Sequence, residues 1–208
     1  MPRKPRRPRQ ATVRKPDKQR QQEEPLFFWS ETEREGGFLA PWYISPFTED
    51  GTRVFVSVGH WVTIQKAKLF GDEAALKRLH ATKDTDKHRE IGRKIQNFDE
   101  EVWKKECYRL AVKGNFLKFI SPARGNRANL REHLLRTGKR ELVNASPYDR
   151  LWGIGFKALD AKKIAREQWG ANQYGKALME VRKDLAWKAD PKNIAVYDTP
   201  GSGFNIDW

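Results

Sequence analysis

Asp99 opens the stretch that most narrows what this chain can fold into. Its carboxylate can cap the free amides of a helix start, Glu100 and Glu101 suit the positive end of that helix, and Phe98 is placed to staple onto Trp103. Trp103, Cys107, Leu110, Ala111 and Gly114 then fall on one stripe. Such a stripe is ordinarily core, so the spacing predicts a central helix. Trp103 in its first turn accordingly reads as at least partly structural.

Shorter elements flank it. Arg53 to Val58 alternates as a strand, with Val54, Val56 and Val58 on one face and Gly59 as its breaker. From His60 to about Phe70 the residues suit a helix, with Trp61, Ile64 and the stem of Lys68 inward. Asp72 can cap a helix whose inner side is Ala75, Leu76 and Leu79. Asn129 with Glu132 resembles a capping box for a helix ending at Gly138, and Arg140 to Ala145 reads as a short strand. The last helix starts near Asn172, its cap, with Tyr174, Leu178, Val181 and Leu185 on one face. The whole reads as α+β, a helix-dominated single domain with a small β-sheet.

The segment Ser146 to Phe156 carries the chemistry. Asp149 and Trp152 offer a charge and a flat stacking face, while Gly153 and Gly155 let backbone approach a ligand closely. The alternative is structural: Trp152 as core filler, the glycines as turn residues and Asp149 as a local cap.

Together with its neighbours this segment resembles the NADAR superfamily, the YbiA-like N-glycosidases. The resemblance rests on Phe27-Phe28-Trp29, Leu39 to Phe47, Gln65 to Asp72, Gly92-Arg93, Phe98-Asp99 with Trp103, and Gly114-Asn115 with Lys118-Phe119. It continues through Leu134 to Gly138, Glu141 to Ser146, the Asp149 to Gly155 turn, and Trp169 to Asn172 through Gly175 and Arg182. The resemblance implies the YbiA-like fold and hydrolysis of early riboflavin-pathway intermediates, with relatives acting on ADP-ribosyl groups. It also marks departures. Gly59 stands where the family carries a Glu, its best candidate for catalytic acid or base, and Asn144 stands where a second Glu is usual.

Cleaving a bond between a nucleobase and ribose leaves positive charge on the sugar and electrons on the base. The chemistry calls for a carboxylate near the anomeric carbon, a grip on the base and a positioned water. Asp149 is the expected catalytic carboxylate, with His60 as a substitute for the absent Glu, although neighbours on a helix point about 100° apart. The substrate-binding residues that the resemblance implies are Trp103 and Trp152 as walls, Gly153 and Asn172 in the surrounding turns, and Arg93, Lys66 and Arg182 for phosphate. Against this, Arg93 and Arg182 can pair with acidic neighbours, Lys66 can shield apolar surface, and Trp61 reads as core. Trp29, Trp42 and Tyr43 are left open between ligand contact and sealing the core.

The four histidines, His60, His80, His88 and His133, form no ligand pattern, so no metal is expected. No phosphate loop or dinucleotide fingerprint is present, and no cofactor is expected. Lone Cys107 reads as a small buried hydrophobe. The expected partner is a nucleotide-like small molecule, in a reaction of reduced or altered rate, and the oligomeric state is left open. A rival is an inactive ADP-ribose-binding module that has kept the pocket.

Net charge is +14, of which the first 22 residues contribute +8. Prolines at 2, 5, 8 and 16 and scarce apolar residues make residues 1–24 an expected disordered basic tail. A further rival function, nucleic-acid association, rests on residues 1–22. The domain is expected over 25–188 and an extended tail over 189–208. No long apolar run or signal-peptide pattern is present, so the expectation is no membrane and a cytoplasmic or nuclear location.

Overall fold

The computed structural model describes residues 24–126 and 128–189. The basic tail and the extended C-terminal segment fall outside the described residues, apart from Glu24 and Ala189. Among the described residues seven α-helices dominate: α1 (Val58–Leu69), α2 (Glu73–His80), α3 (Thr85–Arg93), α4 (Glu100–Ile120), α5 (Leu130–Arg136), α6 (Ala158–Ala161) and α7 (Gln173–Ala189). Four short strands among the same residues make two pairs. β1 (Leu26–Phe28) runs parallel to β4 (Leu142–Asn144), and β2 (Phe47–Thr48) is antiparallel to β3 (Val54–Phe55).

Caps set most of the helix starts. Asp72 accepts from Ala75 N, Asp84 from Asp86 N and Lys87 N, Asp99 from Glu101 N and Val102 N, and Asn129 from Glu132 N. Each satisfies amides that a helix otherwise leaves unpaired. The expected stripe of α4 is buried, with Trp103, Cys107, Leu110 and Ala111 facing α1 and α7. On α7, Tyr174, Leu178, Val181 and Leu185 complete the core.

Three local readings change. The strand expected over Arg53–Val58 is limited to Val54–Phe55, because Ser57 accepts a hydrogen bond from His60 N and starts α1 at Val58. Val54 is accordingly exposed while Val56 and Val58 are buried, and Gly59 is not a breaker but part of the first helical turn. Lys68 is exposed, the inward positions being Trp61, Ile64 and Ala67. Phe98 packs edge-on against Phe70, at 5.3 Å between ring centroids, with the Lys66 ammonium over its face.

The β1–β4 pair forms the base of the site. Its register sets Phe28 opposite Asn144, and β4 continues directly into the turn that holds Asp149. The Asn172 side chain ties this pair to α7: its Oδ1 accepts from Asn144 N at 3.0 Å and its Nδ2 donates to Leu142 O at 3.0 Å. No described helix is long and apolar enough to cross a membrane.

Candidate active site

A cavity of about 860 Å³ opens between α1, α3 and the start of α4 on one side and the turn after β4 on the other. This is toward the large end of the roughly 300–1,000 Å³ typical of small-molecule sites. Trp103, Trp152, Lys66, Arg93 and Asp149 all line it. Residues separated by more than 80 positions in the chain thus meet on one concave surface.

Asp149 holds its own turn together. Its Oδ1 accepts from Leu151 N at 2.9 Å and from Trp152 N at 2.7 Å, which fixes the segment that presents Trp152. The capping role and the cavity role therefore coexist, because Oδ2 forms no hydrogen bond among the described residues. The charge of Asp149 reaches the Cys107 thiol, which burial chiefly, with that charge added, pushes above its ordinary pKa. The thiol is buried and unsuited to act as a nucleophile.

Trp152 meets Tyr174 edge-on with centroids 6.2 Å apart, and Tyr174 donates to Asn115 Oδ1 at 3.1 Å. Burial pushes the Tyr174 phenol upward, which keeps it a donor. Asn144, also on the cavity wall, donates from Nδ2 to Trp152 O at 3.3 Å. Opposite, Lys66 Nζ donates to Gly92 O at 3.1 Å and sits 4.1 Å from the Phe98 centroid and 5.4 Å from that of Trp103. Burial lowers its pKa. Arg93 is exposed at the C-terminal end of α3 and makes no ion pair among the described residues. One wall offers cations beside the Trp103 indole, and the other a carboxylate beside the Trp152 indole.

Four expected residues lie elsewhere. His60 is one residue beyond cavity-lining Gly59, and the helical rotation turns it inward, where it stacks on His88 with centroids 3.8 Å apart. Burial first, then the neighbouring His88, pulls its pKa down to about 3. It does not reach the cavity. Gly153 serves the turn: a Cβ there would stand 2.8 Å from Asn144 O, so only glycine lets the turn close on β4. Asn172 is consumed by β4, and Arg182 donates to Thr137 Oγ1 at 2.6 Å, away from the lining.

Two further lining residues, Glu31 and Arg89, were not picked out from sequence. Glu31 and Arg89 form a 2.9 Å ion pair at the cavity edge, and Arg89 also bonds Asp86 at 2.7 Å. Trp29 and Trp42 both line the cavity, whereas Tyr43 packs near buried Lys118. The Trp42 ring lies against Gly59, its Cδ2 and Cε3 atoms 2.6 Å from where a Cβ would be. No group of three or more His, Cys, Asp or Glu able to hold a metal ion occurs among the described residues.

The pattern that defines the NADAR domain matches residues 27–186. N-glycosidase R617 of Acanthamoeba polyphaga mimivirus is 31% identical over 166 residues, covering 76% of this chain and 95% of that protein. N-glycosidase Npun_R5314 of Nostoc punctiforme is 31% identical over 134 residues, covering 63% and 74% respectively. Riboflavin biosynthesis protein VVA0006 of Vibrio vulnificus is 28% identical over 178 residues, covering 84% of this chain and 42% of its own length. The NMR structure of the E. coli protein YbiA superposes with a TM-score of 0.61 at 23% identity, over 79% of this chain and 86% of YbiA, a likeness of fold.

Proposed function

Because this chain belongs to the NADAR domain family, we propose that it hydrolyses the N-glycosidic bond between a nucleobase-like ring and a phosphorylated ribose, in a ribosylamine phosphate or an ADP-ribosyl conjugate. The observation that carries this reading is the convergence of Asp149, Trp103, Trp152, Lys66 and Arg93 on one cavity. In it, the free Oδ2 of Asp149 faces the positive charge that develops on the sugar. Trp103 and Trp152 stack the departing ring. Lys66 and Arg93 hold phosphate, Arg93 with its planar fork and Lys66 as a point charge. The names of the mimivirus and Nostoc relatives support the reaction class.

Gly59 supplies no acid or base, and loss of such a group lowers rates by about 10² to 10⁴. Turnover is accordingly slower or differently catalysed than in a site with a Glu there. The Trp42 ring against Gly59 favours a second reading, a binding module for the same ligands that has lost turnover. The test is base release, followed by liquid chromatography, from ribosylaminopyrimidine phosphates and ADP-ribosyl-guanine, with wild type and Asp149→Asn. Release that disappears in Asp149→Asn supports the hydrolase. ADP-ribose binding without release from either substrate supports the binding module.

A further inference from the structure

Among the described residues, the cavity is lined by two acidic side chains, Asp149 and Glu31. One oxygen of Asp149 is committed to two backbone amides. Glu31 is differently placed. Its Oε1 accepts from Arg89 Nη2 at 2.9 Å, while Oε2 forms no hydrogen bond among the described residues. Arg89 is itself fixed from two other directions, by Asp86 at 2.7 Å and by lying over the Trp42 ring at 4.9 Å. Trp42 in turn rests on Gly59. An unbroken series of contacts therefore joins the bare backbone at Gly59 to a carboxylate at the edge of the same cavity.

The loops carrying the two carboxylates adjoin, since Trp29 meets Tyr148 edge-on with centroids 5.9 Å apart. The Glu31 loop is also rigidly built: Glu33 accepts from both Trp29 N and Ser30 N at 3.1 Å. An ordinary surface ion pair joins neighbours on one helix and contributes little. This one spans 58 positions, and the Arg89 and Glu31 side chains are 26% and 35% exposed. It holds Glu31 at the cavity with one oxygen available.

We propose that Glu31 is the second working carboxylate of this site and takes the proton of the attacking water. The assignment rests on the hydrolytic reading. The water oxygen bonds to the anomeric carbon as the bond to the base breaks, with the electron pair leaving on the base nitrogen. The proton lost by the water passes to Glu31 Oε2 and on to solvent, and the departing base takes one up from solvent. Arg89 is a positioning residue that orients Glu31.

The experiment measures kcat and KM for base release by wild type, Glu31→Gln, Glu31→Asp and Arg89→Met, with melting temperatures. Glu31→Gln is expected to lower kcat by about 10² to 10⁴ with KM within about threefold. Glu31→Asp retains more rate than Glu31→Gln, and Arg89→Met, which leaves the carboxylate in place, loses less. Wild-type kcat in Glu31→Gln overturns the assignment and leaves the hydrolytic reading standing. Equal losses in Glu31→Gln and Arg89→Met overturn it in favour of a structural ion pair. A wild type inert on both substrates overturns the hydrolytic reading and this assignment with it.

Discussion

The indole of Trp42 occupies the space that any side chain at Gly59 would need, with ring carbons 2.6 Å from the Cβ position. These are atoms in the middle of a fused ring, also stacked under Arg89, and they cannot swing aside as a flexible chain end would. Gly59→Glu alone is therefore expected to destabilise the fold, by about 1–3 kcal/mol as for other overpacked sites. In a Trp42→Ala background the same substitution is expected to be much less harmful. Urea unfolding of the four proteins gives the coupling directly. Additive effects would mean that the ring and position 59 do not compete.

Asp149 gives a second separation, between holding a turn and contributing charge. Asn keeps an oxygen at the Oδ1 position for Leu151 N and Trp152 N, whereas Ala leaves both amides without that acceptor. Asp149→Ala is expected to lose about 1–3 kcal/mol of stability and Asp149→Asn less. Base release is expected to fall in both. A fully active Asp149→Asn would restrict Asp149 to its turn.

The difference between what the sequence disclosed and what it hid follows the range of each contact. Caps at Asp72, Asp99 and Asn129 were legible because acceptor and amide lie three residues apart or fewer. Trp152 and Asp149 were legible through a turn, a local pattern, whereas the stripe marked Trp103 as core and the family resemblance implied its place at the cavity. Glu31 has no local signature, and Arg89, three residues from Asp86, looks like one half of a solvated helical pair. Their meeting depends on where α3 packs relative to the loop after β1. His60 fails for the opposite reason: adjacency in sequence suggested adjacency in space, and a helix separates neighbours by about 100°.

Lys118 makes a stability prediction that is independent of the site. It is 2% exposed, donates to Phe38 O and lies 5.4 Å from the Tyr43 centroid. Burial lowers its pKa to about 7 from an ordinary 10.5. Between those values the unfolded chain holds a proton that the folded chain has shed, so stability rises with pH through this window. The slope from this group is at most about 1.4 kcal/mol per pH unit. Lys118→Met removes the contribution, and chemical denaturation at pH 7 and pH 9.5 is expected to show a smaller rise in the variant. An identical rise in both proteins would show that Lys118 remains protonated in the fold.

The stacked pair His60 and His88 makes the matching prediction on the acid side. Their rings are nearly parallel, 3° apart, and His60 Nε2 and His88 Nδ1 are buried without a hydrogen-bond partner among the described residues. Burial lowers both pKa values, His60 to about 3; the Leu79 carbonyl at His60, and the Thr82 and Leu79 carbonyls with Asp84 at His88, offset only part of this. As pH falls from 6.5 toward 3, the unfolded chain binds protons that the folded chain refuses, so stability drops across that interval. His60→Leu keeps an apolar filler against the His88 ring and removes one of the two groups. It is expected to flatten the acid limb of the stability curve, read as the urea midpoint at pH 7, 5.5 and 4.5. Because His60 lies outside the cavity, the same variant is expected to keep wild-type base release at neutral pH. Loss of that release with an unchanged midpoint would return His60 to the reaction, and an unchanged acid limb would mean that the pair does not govern acid sensitivity.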